Sequence, residues 1–179
     1  MPLPRAQLIK RAKKIKLLAM DIDGVLTNGD ILILDSGEEL KTFNAKDRLV
    51  LSLVRDEKVF ETVWVTGRSS KSVEISAENL GIGTLVQKCM RKKQALEKVI
   101  EASGLGFESV AFVGDDLIDI PAMQACGFSA CPADATSDAK KNAHYISPLD
   151  GGRGVVRDVI EFILRAQGRW DKLVSVYLR

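Results

Sequence analysis

Cysteine is scarce. Cys89, Cys126 and Cys131 are an odd number and contain no C-x-x-C pair, so neither a disulfide framework nor a zinc knuckle is expected, and free thiols in a reducing cytoplasm are the simplest account. None carries the C-x5-R spacing of a cysteine phosphatase: six positions on from them stand Ala95, Pro132 and Ser137. Histidine is scarcer still, and the one present, His144, lacks an R-H-G context and reads as structural. No apolar run approaches the roughly 20 residues that span a bilayer. A secretory leader is not expected either, because no apolar stretch of that kind follows the basic residues Arg5, Lys10, Arg11, Lys13, Lys14 and Lys16 before Asp21. Those residues read as a solvated helix leading into the first strand. A formal net charge of +2 gives no strong pull toward nucleic acid. Repeats, low-complexity tracts and linkers are missing too, so residues 1–179 are expected to form a single domain large enough to bury a core.

What is there is an ordinary globular balance, 46% apolar and 28% charged, arranged as an alternation. Short apolar runs at Lys16–Met20, Thr62–Val65, Thr84–Val86, Ser109–Val113 and Phe128–Ala130, with a weaker one at His144–Ile146, read as strands. Helical patterns lie near Lys46–Glu57, Ser69–Leu80, Arg91–Ala102, Asp116–Ala125, Ser137–Asn142 and Val155–Ala166. Buried strands alternating with helices imply a Rossmann-like three-layer α/β/α fold around a parallel sheet, whose ligands sit beyond the carboxyl ends of the strands. One segment breaks the alternation: Asp30–Leu34 and Glu38–Phe43 flank the turn Asp35-Ser36-Gly37 and read as a projecting β-hairpin, a flap over about residues 30–43. The interval from Asp23 to Thr66 holds this hairpin and one helix, and that from Thr66 to Lys92 a helix and a short strand, so neither is occupied by a large inserted cap.

Four strand ends carry the chemistry. Asp21-Ile22-Asp23-Gly24 follows the first strand directly, and residues i and i+2 project to one side of an extended chain. Two carboxylates so placed repel unless a cation or a shared proton intervenes, and Gly24 lets the backbone approach a bound group. Thr66-Gly67-Arg68 comes just past another strand; a hydroxyl and free N–H groups there suit a phosphate, or Thr66 or Ser69 caps the next helix. Lys92 falls on the face of its helix shared by Leu96, Val99 and Ile100 and can reach the sheet edge as a point charge, or it snorkels to solvent. Gly114-Asp115-Asp116 follows a fourth strand, with Asp119 one turn on. Asp115 is the better Mg2+ ligand, Asp116 a possible helix cap, and Asp119 either a more distant ligand or a holder of the loop.

In that order the motifs resemble the haloacid dehalogenase superfamily. Asp21–Gly29, Phe43–Asp47, Thr66–Arg68, Gly114–Pro121 and Gly151–Gly154, with Ala166-Gln167-Gly168, are similar to its capless phosphatases of phosphorylated keto-sugar acids, over roughly residues 15–170. The resemblance implies Asp21 as nucleophile and Asp23 as general acid/base. It implies Mg2+ held by the carboxylates of Asp21 and Asp115 and the backbone carbonyl of Asp23, with Thr66 and Lys92 on the phosphoryl oxygens. It implies a cytoplasmic homotetramer of lipopolysaccharide biosynthesis in which the hairpin approaches a neighbour's active site. Substrate contacts are expected from Gly24, Thr66, Gly67, Arg68, Lys92 and Arg153, the two arginines being candidates for a substrate carboxylate or for structural salt bridges. The chain departs from the pattern at Arg48-Leu49-Val50, where glycine is usual, at Asn28, where aspartate is usual, and in its short tail after Gly168.

Two other readings stay open. A receiver-type signalling domain also sets aspartates, a threonine and a lysine on a parallel sheet, but its acceptor normally follows a later strand. A catalytically silent oligomeric scaffold would not need the whole set of residues. A P-loop is excluded, since Gly24-x-x-x-x-Gly29 is followed by Asp30 rather than lysine.

Overall fold

Leu17, Leu18, Ala19 and Met20 are all fully buried, which only a central strand covered on both faces allows. They form β1 in the structure, a computed structural model that describes residues 2–177. Residues 1 and 178–179 of the expected domain lie outside the described residues. A basic helix, α1 (Arg5–Ala12), precedes β1, and the short strands β2 (Leu32–Ile33) and β3 (Glu39–Leu40) follow it. The chain continues as α2 (Ala45–Asp56), β4 (Glu61–Val65), α3 (Lys71–Leu80), β5 (Thr84–Val86), α4 (Lys92–Ser103) and β6 (Val110–Val113). It ends with α5 (Ile120–Ala125), β7 (Phe128–Cys131), α6 (Ser137–Asn142), β8 (Tyr145–Ile146), α7 (Val155–Ala166) and α8 (Trp170–Val174).

Six strands make one parallel sheet in the order β5-β4-β1-β6-β7-β8. Strand alternation sorts the apolar residues into two cores. Leu18, Met20, Trp64 and Val113 pack with Leu51, Val54, Val73, Ile160 and Trp170 from α2, α3, α7 and α8, while Leu17, Ala19, Val65 and Phe112 pack with Leu96, Ile100, Met123 and Ala139 from α4, α5 and α6. The expected three-layer α/β/α fold is therefore what forms, and no cap is inserted. Among the described residues no helix is long and apolar enough to cross a membrane.

Three local expectations change. The hairpin strands shrink to two residues each, Leu32↔Leu40 and Ile33↔Glu39, because a pair with no third strand gains little beyond its turn. The helix expected over Asp116–Ala125 begins as a 3-10 turn, Leu117–Asp119, capped by Asp116, whose Oδ1 accepts the N–H of Leu117 at 2.7 Å. A short helix not foreseen, α8, is held by Trp170, which is buried under the guanidinium groups of Arg157 and Arg165 at 5.3 and 5.6 Å. His144 is structural as expected: its Nδ1 accepts the backbone N–H of Ser129 at 2.9 Å, and burial lowers its pKa to about 4.

The chain crosses from β1 to β4 and β5 on one side and returns to β6 on the other. The sheet therefore has its topological switch point between β1 and β6, the place where a crevice opens at the carboxyl ends. Behind that crevice Asp47, fully buried in the first turn of α2, accepts the Arg157 N–H of α7 at 2.7 Å, while its other oxygen has no partner. Burial raises its pKa from 3.8 to about 6, against the pull of the backbone N–H groups of Arg157, Gly154 and Val156. A carboxyl with a higher pKa folded than unfolded takes up its proton on folding, so its contribution to stability is full below about pH 4 and is lost as the pH rises through about 6. Asp47→Asn holds the neutral form at every pH. Relative to the parent, urea unfolding of the variant should show up to about 3 kcal/mol more stability at pH 7.5 and little difference at pH 4. A variant destabilised equally at both values would show that the ionised carboxylate is what the α7 terminus requires.

Candidate active site

Asp21 is the first residue beyond β1, and its N–H donates to Val113 O of β6 at 2.9 Å. That bond carries the parallel register of β1 and β6 one residue past the strands and sets Asp21 beside the Gly114–Asp115 turn. One oxygen of Asp21 accepts the Ile22 N–H at 2.7 Å; the other meets Lys92 Nζ at 2.7 Å. Lys92 opens α4 and is buried, and its ammonium also meets Asp119 Oδ1 at 2.6 Å. Asp119 Oδ2 accepts the N–H groups of Asp115 and Asp116 at 2.9 and 3.2 Å. One lysine thus links the β1 loop to the β6 loop, and the stripe Lys92–Leu96–Ile100 that points it inward is buried as the helical spacing required.

Close approach depends on glycine. Gly24 has φ +85°, and a Cβ there would lie 2.1 Å from Asp115 Oδ2, so any side chain would displace Asp115. A Cβ on Gly151 would come within 1.9 Å of Gly24 O, which packs the Gly151–Gly154 loop directly onto the Asp21–Gly24 loop. Arg153 on that loop is exposed and makes no side-chain hydrogen bond or ion pair among the described residues. Thr66 is buried at the end of β4, where its N–H donates to Val86 O at 2.9 Å and its Oγ1 accepts the Arg68 N–H at 3.2 Å. It is not a helix cap, since α3 starts five residues later behind Ser70. Gly67 lets Met90 pack close by: a Cβ there would be 2.8 Å from its sulfur.

Three carboxylates crowd one ammonium. Single oxygens of Asp21, Asp115 and Asp119 lie within 4.8 Å of one another. Burial, then Asp119, raise the Asp21 pKa to about 6 against the pull of Lys92. Burial, then Asp119 and Asp21, raise Asp115 to about 8. Burial works to lower the Lys92 pKa, but attraction to Asp21 and Asp119 outweighs it and the pKa is raised. With all three carboxylates ionised the cluster is two positive charges short, and its donors are all hard oxygens, so a divalent cation such as Mg2+ fits both the charge and the chemistry.

The hairpin folds onto this edge, and here the sequence reading fell short. Lys41, whose side chain is 2% exposed, pairs with the carboxylate of Asp23, and Arg68 pairs with that of Glu39. Neither Glu39 nor Lys41 belongs to the sequence motifs at the strand ends. The signal was available, because positions i and i+2 of a strand share a side and the two bracket Leu40. Of the departures from the family pattern, Arg48 turns away to donate to Ser76 Oγ at 2.6 Å, and Asn28 holds Asp30 in a local turn. A cleft of about 710 Å³ lined by Lys16, Lys58, Glu61 and Thr84 lies at the opposite end of the sheet and shares no residue with the acidic cluster.

Comparison with known proteins agrees with this fold. The sequence model of the haloacid dehalogenase-like hydrolases matches residues 54–158. The 3-deoxy-D-manno-octulosonate 8-phosphate phosphatase of Escherichia coli K12 is 40% identical over 167 residues, which covers 93% of this chain and 88% of that protein. The crystal structure of the phosphatase of that name from Yersinia pestis superposes with a TM-score of 0.89 at 38% identity, over 92% of this chain and 89% of that one. The one from Moraxella catarrhalis, solved with magnesium, phosphate and KDO, does so with a TM-score of 0.93 at 34% identity, over 96% and 98%.

Removing the ammonium leaves Asp21 and Asp119 buried and facing each other. In metal-free buffer Lys92→Met should therefore lose about 3–5 kcal/mol of stability at pH 7.5. The loss should shrink toward pH 5 as the carboxyls take up protons, and urea denaturation at the two pH values measures it. An equal loss at both would assign Lys92 a packing role alone.

Proposed function

The chain belongs to the haloacid dehalogenase-like hydrolases, and on that premise we propose that it is a magnesium-dependent phosphatase that hydrolyses 3-deoxy-D-manno-octulosonate 8-phosphate. The observation that carries this reading is the meeting of Asp21, Asp115 and Lys92 at the switch point of the sheet. The substrate follows from identity of 40% along nearly the whole chain to a phosphatase of that name, and from the magnesium, phosphate and KDO in the Moraxella catarrhalis relative.

Mg2+ would be held by the carboxylates of Asp21 and Asp115 and the backbone carbonyl of Asp23, and when bound it offsets the charge of the phosphoryl oxygens. Asp119 holds Lys92 and the N–H groups of Asp115 and Asp116, which keeps the ammonium and the acidic turn in place. Asp21 attacks phosphorus in line as the sugar oxygen leaves, giving an aspartyl-phosphate. Lys92 and the Thr66–Gly67 turn, with Gly24 leaving room, bind the transferring oxygens. Asp23 gives its proton to the departing sugar oxygen, then takes one from the water that cleaves the intermediate. Arg68 and Arg153, on two loops of the same edge, receive the sugar carboxylate, for which a guanidinium is suited.

An edge without a cap is open to water, and closure by another subunit would correct that. Ile31, Leu32, Ile33, Leu34 and Leu40 of the hairpin are all exposed, an apolar surface on a projecting element. The reading therefore includes a homotetramer, in which this surface is covered by a second copy.

Asp21→Asn should abolish turnover, to below about a thousandth of the parent rate, with an unchanged circular dichroism spectrum. Comparing kcat/KM over phosphorylated eight- and nine-carbon keto-sugar acids should rank the eight-carbon 8-phosphate first; a nine-carbon acid in that place would reassign the substrate. Ile33→Glu should lower the mass measured by light scattering, whereas a parent protein that is monomeric and fully active would remove the tetramer from the proposal.

A further inference from the structure

The hairpin brings its own charges to the two groups that a sugar-acid phosphate would need. Arg68 is paired with the carboxylate of Glu39, and Asp23 with the ammonium of Lys41. The two pairs touch: Lys41 Nζ lies 3.9 Å from Glu39 Oε2, an oxygen that is buried and has no hydrogen-bond partner. The four side chains therefore form a line, Arg68–Glu39–Lys41–Asp23, in which Glu39 has an acceptor to spare directly beside Lys41. None of the four side chains pairs with Lys92, Asp119 or Thr66, and Arg68 meets the Thr66–Gly67 turn through its backbone N–H, so phosphate can be received without disturbing the line.

Resting on the reading above, in which Arg68 receives the sugar carboxylate, we propose that Glu39 and Lys41 are specificity-determining positioning residues. Glu39 stands in for the substrate carboxylate on Arg68, and Lys41 holds Asp23 until that stand-in is displaced. A substrate carboxylate takes Arg68, with which it pairs as Glu39 did. Glu39 then has both oxygens free, and the nearest cation is Lys41. As Lys41 moves to Glu39, Asp23 is released, takes up a proton from solvent water, and can then give it to the leaving oxygen. A phosphate ester without a carboxylate binds through its phosphoryl group but leaves the line intact, with Asp23 still held. The substrate's differential interaction with the two arrangements drives the exchange, and the discrimination falls on kcat rather than on KM, as in induced-fit specificity.

The test measures kcat and KM of the full-length, magnesium-loaded protein on 3-deoxy-D-manno-octulosonate 8-phosphate and on ribose 5-phosphate, which has no carboxylate. The parent should favour the sugar acid in kcat by at least about tenfold, the effect of one ion pair made only in the productive arrangement. Lys41→Met should narrow that ratio from below, by raising kcat on ribose 5-phosphate, and Lys41→Arg should restore it. Glu39→Gln should narrow it from above: kcat on the sugar acid falls toward the ribose 5-phosphate value, while its KM falls because Arg68 has lost its competitor. Two variants with the parent ratio, or two that slow both substrates in parallel, would overturn the proposal. Arg68→Met separates the layers. If it leaves the KM for the sugar acid unchanged, the carboxylate assignment fails and the latch with it; if it raises that KM while the kcat ratio ignores Glu39 and Lys41, the latch alone fails.

Discussion

A buried ammonium between two buried carboxylates organises this molecule. Lys92 cannot sit in the interior without opposite charge, and Asp21 and Asp119 cannot sit there without Lys92. Satisfying that requirement joins the loop after β1 to the loop after β6 and fixes where α4 begins. It also shapes the turn after β6: Asp119 is drawn inward, its second oxygen collects two N–H groups, and the chain tightens into a 3-10 turn before α5 starts. The remaining carboxylate, Asp115, is left with burial and repulsion and too little to offset them. A divalent cation answers that imbalance.

The sheet supplies the rest. Its strand order puts the switch point between β1 and β6, so the two acidic loops open on the same crevice, and β4 adds Thr66 and Arg68 on the flank. Because both faces are covered by helices, polar groups can gather only at the strand ends. The hairpin is the exception. It belongs to neither face, its apolar residues remain exposed, and Glu39 and Lys41 turn toward the crevice.

The layered fold and the acidic centre were readable because each rests on a local rule. Four-residue apolar runs with no polar face demand a covered strand, and Asp21, Thr66, Lys92 and Asp115 each stand one or two positions from an element boundary. Other features were not readable, for reasons that are also physical. α8 has too few residues to be a helix on its own propensity and exists because Trp170 finds two guanidinium groups from α7. The true lengths of β2 and β3 depend on the absence of a third strand. Glu39 and Lys41 are ordinary strand residues in a one-dimensional pattern, and they acquire meaning only when the hairpin folds back over Asp23 and Arg68. Arg48, which stands where the family pattern has glycine, ties α2 to α3.

The contact between Gly151 and the Gly24 carbonyl has a consequence for how this protein tolerates change. Two loops more than a hundred residues apart are stacked with no room for even a methyl group between them. The loop that carries Asp21 is thus shaped on one side by a stretch that contributes no acidic group to the cluster. An inserted residue, a nick or a bulkier side chain near position 151 would push on Gly24, and through it on Asp115. Activity can accordingly be lost with every charged residue of the site still present, and a survey of natural variants that scores only the aspartates and lysines would misjudge such chains as competent.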